Sequence, residues 1–325
     1  DYYFFFTKHL IFTALAISIM MIISFIRTEI LIKLVIPAFV VSFIFLAMVP
    51  IIGLEAKGAR RWLNLYFFNL QPVEILKPLF ILMTVKILTY KNFQNYHIKY
   101  LLSFILLICV IILLIDQPDL GQSILLTSSW IATVFVSGVS LIYIGIFLTI
   151  FLILFSSILF FLPEKFGYII NRLISFFDPS QGDKFQSSAA LDAIKLGGLT
   201  GQGMGEGILK ESVPEAHTDY VIAVISEEFG SIVSIIIIII FLYISFRIIK
   251  NCFNQDNEFI KISLSGLASL LIFQTFIHAG VNTNLLPTTG MTLPFLSYGG
   301  SSLMSSAILA GLILNYTKNK TYLYD

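Results

Sequence analysis

The sequence predicts an all-α polytopic membrane protein, and three observations carry that reading. Hydrophobic residues make up 57% of its 325 residues and charged residues 12%, whereas a soluble domain carries about 25% charge. The mean hydropathy is +0.92. Apolar runs close to the roughly 20 residues needed to cross a bilayer recur along the whole chain. Between them the polar residues gather in a few short clusters and one long segment, residues 163–218. A net charge of +1 without a basic stripe excludes a nucleic-acid footprint. Cys109 in an apolar run and Cys252 in a distant polar loop suggest neither a disulfide nor a metal site.

Taken in order, the spans are Leu10 to Ile26, Leu34 to Gly53, Val73 to Tyr90, Tyr100 to Ile115, Leu120 to Ser137, Leu141 to Leu162, Tyr220 to Ile249, Phe259 to Gly280 and Ser301 to Tyr316. Lysine and arginine in short loops set the orientation. Arg27 with Lys33, Lys91 with Lys99, Arg247 with Lys250 and Lys261, and Lys318 with Lys320 fall on one side. Lys57, Arg60, Arg61 and the cations of the long loop fall on the other. Long loops vote weakly, so the first set is assigned to the cytoplasm and residues 163–218 form one large extracytoplasmic loop. Within it, Phe166 to Phe177 suits an interfacial amphipathic helix, and Asp178-Pro179 suits a turn. GGLTGQGMGEG, from Gly197 to Gly207, lacks the spacing of a phosphate-binding loop and reads as flexible backbone near the membrane surface.

Four polar clusters sit at span ends on the same side. The first is GARRW at 58–62, followed by Gln71, Pro72, Glu74 and Lys77. Glu74 and Lys77 are three apart and share a helix face; they form either a structural salt bridge or part of a wet cavity. In the second, Asp116-Gln117-Pro118-Asp119, the simple reading is a tight turn with a helix cap at Asp119. The third, VPEAHTDY at 213–220, brings Glu215, His217 and Asp219 to the edge of a span. Such groups are functional by default in a membrane, although acidic residues also suit a helix N-terminus in an ordinary solvated loop. The fourth, Asn282 to Ser302, is rich in Gly, Pro, Ser and Thr and suits a re-entrant or interfacial loop lining a cavity. His9 and His278 stand alone near span ends and read as structural. No HExxH, Cys/His cluster or Ser-His-Asp order supports nucleophilic hydrolysis. What remains is a cation set (Arg60, Arg61, Lys77) and a carboxylate set (Asp119, Asp219). Cations suit a pyrophosphate headgroup, and a carboxylate suits removal of a proton from an attacking hydroxyl. A lipid-linked pyrophosphate meets both needs.

At these residues the chain resembles the SEDS family (shape, elongation, division and sporulation), the polytopic peptidoglycan glycosyltransferases. The matching pieces are GARRW at 58–62, QPVEILK at 71–77, QPDLGQS at 117–123, PEAHTDY at 214–220 and LPTTGMTLPFLSYGGSS at 286–302, in the family's order. KGARRW, FDPSQGD and GGLTGQGMGEG are closer to the division branch, FtsW, than to the elongation branch, RodA. Two positions depart from the pattern: Val73 stands where serine is usual and Tyr220 where phenylalanine is usual. The resemblance implies a SEDS-type helical bundle of ten transmembrane helices. Nine are visible, so the first is expected to precede residue 1.

The resemblance also implies the chemistry. Asp219 is expected to be catalytic in polymerising lipid II into glycan strands, with release of undecaprenyl pyrophosphate. Arg60, Arg61 and Lys77 are expected to bind the pyrophosphate, with Glu74 orienting Lys77. Asp119, His217 and Ser297 complete the expected substrate-binding set. No nucleotide or ATP is needed as cofactor; Mg2+ or Mn2+ on the pyrophosphate fits the chemistry, without a dedicated ligand set in the sequence. Expected partners are a class B penicillin-binding protein and other divisome proteins, at the inner membrane of the septum. The competing readings are a flippase for the same lipid and a catalytically idle division scaffold.

Overall fold

The computed structural model describes residues 2–56, 59–66, 68–91, 96–161, 167, 170, 172, 174–177, 185–209 and 213–318. Within them the chain is a helical bundle, and a helix covers each apolar run read from the sequence. These are α1 (Tyr2–Phe25), α2 (Thr28–Ile52), α3 (Pro72–Leu88), α4 (Tyr96–Asp116), α5 (Leu120–Val136), α6 (Leu141–Phe161), α7 (Phe185–Gly197), α8 (Val221–Phe229), α9 (Ser231–Cys252), α10 (Glu258–Asn282) and α11 (Gly300–Tyr316). Five of them (α1, α2, α4, α9 and α10) are long and apolar enough to cross a membrane, and α5, α6 and α11 are shorter apolar helices. The chain is an all-α polytopic membrane protein.

Burial separates a centre from a periphery. The apolar window of α10 is 72% buried, against 6% for α1 and 22% for α9. α10 packs on α3, α5, α9 and α11, and it approaches α5 so closely that a Cβ on Gly266 would lie 2.7 Å from Thr133 Oγ1. Peripheral helices show Ile and Leu outward, as a lipid-facing surface must. Helix starts follow sequence chemistry. Pro72 opens α3, where its missing N–H costs nothing. Asp119 caps α5 by accepting the Gln122 N–H at 3.3 Å, as the turn reading expected. Asn257 caps α10 through the N–H groups of Phe259 and Ile260.

The structure departs from the sequence reading at several places. Residues Leu54–Leu70 hold a small antiparallel sheet of strands β1 (Leu54–Ala56), β2 (Ala59–Asn64) and β3 (Asn69–Leu70), in the order β1-β2-β3; it carries Arg60 and Arg61. The run Tyr220 to Ile249 is two helices, because Gly230 breaks it with φ +88°. The long polar segment contains a regular helix, α7. Residues 170, 172 and 174–177 are helical, within the expected interfacial helix; Gly58, Phe166 and the Asp178-Pro179 turn lie outside the described residues.

GGLTGQGMGEG, expected to be flexible, forms a clasp. Gln202 N–H donates to Glu227 O at 2.9 Å, Gly203 N–H to Glu228 O at 3.0 Å, and Ser231 N–H to Gly198 O at 2.9 Å. Gly201 (φ +82°) and Gly230 face each other so closely that a Cβ on Gly230 would lie 2.1 Å from Leu199 O. Both positions need left-handed backbone and have no room for a side chain. Gly230→Ala should therefore lower stability by about 2–4 kcal/mol, read as a fall in thermal midpoint in detergent. Gly145→Ala, where a Cβ meets nothing within 4 Å, should leave that midpoint unchanged or slightly raised.

Candidate functional site

All four polar clusters meet at one end of the bundle. The Arg61 Nε donates to Gln117 O at 3.1 Å, and its Nη2 donates to Pro118 O. That binds the β2 strand to the α4–α5 turn. Gln117 Nε2 in turn donates to Leu46 O of α2 at 3.1 Å. Gln71 joins the first two clusters by donating to Asp119 Oδ2 at 3.3 Å. Its own N–H donates to Ser301 Oγ at 3.1 Å, at the head of α11. The segment between α10 and α11 clips onto VPEAHTDY: Ser297 Oγ donates to Thr218 O at 2.6 Å, and Tyr298 N–H donates to His217 O at 2.8 Å.

Asp219 and Arg61 face each other across Gly290. A methyl group at Gly290 would lie 3.3 Å from Asp219 Oδ2 and 3.8 Å from Arg61 Nη1. Gly290 has φ +67° and is exposed, so the notch between carboxylate and guanidinium opens outward at a residue without a side chain. Asp219 is partly exposed, yet protein surrounds most of it. That burial, reinforced by the Glu215 charge, pushes its carboxyl up to about 6, against the pull of Arg61. The Asp119 charge raises it further and the Thr218 hydrogen bond lowers it. Burial also raises Asp119, with Arg61 again acting the other way.

Beneath the notch lies a dry ion pair. Lys77 Nζ and Glu74 Oε2 are 2.8 Å apart, with side chains 1% and 2% exposed. Gln122 Nε2 of α5 donates to Glu74 Oε1 at 2.8 Å, and Lys77 Nζ donates to Gln274 Oε1 of α10 at 3.4 Å. The pair therefore ties α3 to α5 and α10 inside the bundle. Of the two readings left open for it, the geometry is that of a salt bridge sealed from water.

The expected site residues divide accordingly. Asp219, Arg61 and Asp119 come together at the notch, with Ser297 supporting its rim. His217 is exposed, and the contact it makes to Tyr298 uses its backbone carbonyl. Arg60 is placed apart: it follows the opposite face of β2 from Arg61 and pairs with Glu55 at 3.3 Å. Lys77 lies below the notch rather than in it. Gln274 escaped the sequence reading altogether; the signal available was a lone amide inside an apolar span, which marks depth but not its partners. Beside the site, an apolar cavity of about 610 Å3 runs between α1, α2, α3 and α11, from Leu70 and Pro72 down to Leu31 and Leu312.

The sequence profile of the FtsW/RodA/SpoVE cell cycle proteins matches residues 1–322. The chain belongs to that family. It is 35% identical to a probable peptidoglycan glycosyltransferase FtsW of Caulobacter vibrioides, over 85% of this chain and 70% of the relative. It is 33% identical to the protein so named in Coxiella burnetii, over 95% of this chain and 85% of the relative. Among solved structures, the chain matches one from a peptidoglycan synthase complex that coordinates polymerization and crosslinking, with TM-score 0.79 and 25% identity, over 96% of this chain and 89% of that one. It also matches a variant of the rod shape determining protein RodA of Thermus thermophilus, with TM-score 0.68 and 25% identity, over 96% and 87%. The SEDS resemblance drawn from the motifs is thus a shared family and a shared fold.

The dry pair makes a stability prediction. Lys77→Met leaves Glu74 without its counter-ion in the bundle and should cost about 3–5 kcal/mol. Adding Glu74→Gln, which keeps an acceptor for Gln122, should restore most of the loss. Equal thermal midpoints for the single and double variants in detergent would show that the unpaired charge is not the cause.

Proposed function

We propose that this protein is a peptidoglycan glycosyltransferase that polymerises lipid II into glycan strands at the division septum. The observation that carries the reading is the Asp219–Arg61 notch: a carboxylate of raised proton affinity near a guanidinium, with an apolar cavity beside the site that begins at Leu70 and Pro72. The family, and relatives named as probable peptidoglycan glycosyltransferases, support the same reaction. The chain acts as a single membrane domain of residues 1–325, with its 163–218 loop and the notch on the extracytoplasmic face of the inner membrane.

In the reaction, the 4-hydroxyl of an acceptor GlcNAc attacks the anomeric carbon of a lipid-linked MurNAc. The C–O bond to the phosphate breaks with its electron pair leaving on undecaprenyl pyrophosphate, and the new glycosidic bond forms. Asp219 takes the hydroxyl proton. Arg61 Nη1, aimed at the notch while Nε and Nη2 hold carbonyls, meets the charge growing on the pyrophosphate. Asp119 positions: it caps α5 and holds Gln71. The apolar cavity suits the lipid tail, which would leave the headgroup level with Gln71. Among the described residues no three His, Cys, Asp or Glu side chains come together to hold a metal ion, so Mg2+ or Mn2+ would be held chiefly by the substrate's pyrophosphate. A class B penicillin-binding protein is the partner proposed for crosslinking, in keeping with the joint polymerization and crosslinking of the matched complex; other divisome proteins would complete the assembly.

Two measurements test this. With purified lipid II and the full-length protein beside its partner, whose transpeptidase is blocked by a β-lactam, Asp219→Asn should cut glycan synthesis on the order of 10²–10⁴-fold without lowering the thermal midpoint. Equal product from both proteins removes Asp219 from the mechanism. The pH profile is the second measurement. A base that binds its proton at about 6 makes kcat/KM fall as pH drops through that value and level off above it. Arg61→Gln removes a charge that lowers the Asp219 pKa, so the midpoint of the residual activity should move up. An unmoved midpoint would break the electrostatic link between the two. For stability the sign is opposite: the folded value lies above the usual 3.8, so ionised Asp219 weakens the fold above about pH 6 and the penalty vanishes below 3.8.

A further inference from the structure

Gln274, His278 and Asn282 are spaced four apart on α10, so they form one stripe along a single helix face. They are 4%, 0% and 0% exposed, a costly place for three polar side chains in a membrane helix. Each donates to a backbone carbonyl outside its own helix. Gln274 Nε2 reaches Thr292 O at 2.9 Å. His278 Nδ1 lies 2.6 Å from Met291 O; a carbonyl only accepts, so Nδ1 carries the proton. Asn282 Nδ2 donates to Asp219 O at 3.0 Å, while its Oδ1 accepts the Ala223 N–H of α8 at 3.0 Å.

These carbonyls belong to the two strands of chain that build the notch. Asn282 holds Asp219 itself and the first turn of the helix that follows it. His278 and Gln274 hold the residues directly after Gly290. The Gln274 Oε1 accepts from Lys77 at 3.4 Å, so the stripe also rests on the buried ion pair. Met291 is 1% exposed and seals the suspended segment: a Cβ on Gly121 would lie 2.8 Å from Met291 Cγ.

We propose that Gln274, His278 and Asn282 are positioning residues that suspend the Asp219 turn and the 289–292 segment from the buried central helix, setting the spacing of base and cation across Gly290. The proposal rests on the glycosyltransferase reading of the notch. Its force comes from geometry: a displacement near 1 Å at a reacting group costs on the order of 10²-fold in rate. His278 gives the sharpest test, because its Nε2 is buried without a hydrogen-bond partner among the described residues. Among the described residues the ring's one polar contact is through Nδ1. An asparagine amide nitrogen can take the place of Nδ1, and a glutamine amide nitrogen that of Nε2.

The experiment measures kcat and KM of the full-length protein on lipid II for His278→Ala, His278→Asn and His278→Gln, with Asp219→Asn alongside. His278→Ala should lower kcat on the order of 10²-fold with KM within about threefold. His278→Asn should recover kcat to within about tenfold of the native protein, and His278→Gln should not. Asparagine no better than glutamine overturns the proposal, as does a loss carried entirely by KM. If His278→Ala fails to fold, the asparagine–glutamine comparison decides alone. An inactive Asp219→Asn beside indifferent His278 variants rejects the positioning role and leaves the enzyme reading standing; an active Asp219→Asn rejects both.

Discussion

The Glu74–Lys77 pair fixes the terms on which the rest of the bundle can be built. Both groups are charged and sealed from water, where an unpaired ion costs several kcal/mol after relaxation. Each carries a second contact that comes from a different helix, Gln122 of α5 for Glu74 and Gln274 of α10 for Lys77. α3, α5 and α10 must therefore meet in one register, since sliding any of them by a turn leaves a charge or an amide without its partner. Hydrophobic packing around Phe80, Leu126 and Leu267 is non-directional and tolerates such a slide. The ionic network does not. It places the heads of α3 and α5 side by side, where Gln71 reaches Asp119 and Arg61 reaches the α4–α5 turn.

Asp219 experiences the same physics with the opposite outcome. Glu74 has a cation at 2.8 Å; Asp219 has Arg61 only across the width of Gly290, and Glu215 and Asp119 nearby add like charge. Burial without a close counter-ion raises its proton affinity. Arg61 cannot swing over to quench it, because Nε and Nη2 are committed to carbonyls of the α4–α5 turn. The site thus keeps a carboxylate and a guanidinium close enough to share a substrate and too constrained to neutralise each other.

How much of this was legible in the sequence depended on whether the signal was local. Apolar runs marked the helices because a bilayer demands length, and polar clusters marked the one end where they converge. Asp119 was read as a cap because its partner is three residues away. The break at Gly230 was hidden, since Val221 to Ile225 and Ile232 to Ile249 are mostly apolar and the polar Ser226-Glu227-Glu228 between them was read as part of one span; the crossing with Gly201 requires the bend. Arg60 and Arg61 were indistinguishable as neighbours in a line; pairing of β2 with β1 sends one to Glu55 and the other into the site. Lys77 was grouped with the surface cations because its residue type says nothing about depth. Gln274 was overlooked because its partners, Lys77 and Thr292, are remote and near in sequence respectively, and neither spacing is diagnostic.

Rigidity and reactivity are assigned to different parts of the fold. The apolar window of α10 is 72% buried and that of α1 6%, so α10 is held by neighbours on most of its surface. The groups proposed to react do not sit on it: Asp219 precedes α8, Arg61 is on β2 and Gly290 is in a loop. Loops can approach a headgroup at the membrane surface, which a helix axis buried among others cannot. They also lack the ladder of backbone hydrogen bonds that would hold them to a fraction of an ångström. Side-chain donors from α10 supply that missing ladder at Thr292, Met291 and Asp219. The polar stripe along the most buried helix is then the consequence of placing chemistry on loops while keeping the precision of the core.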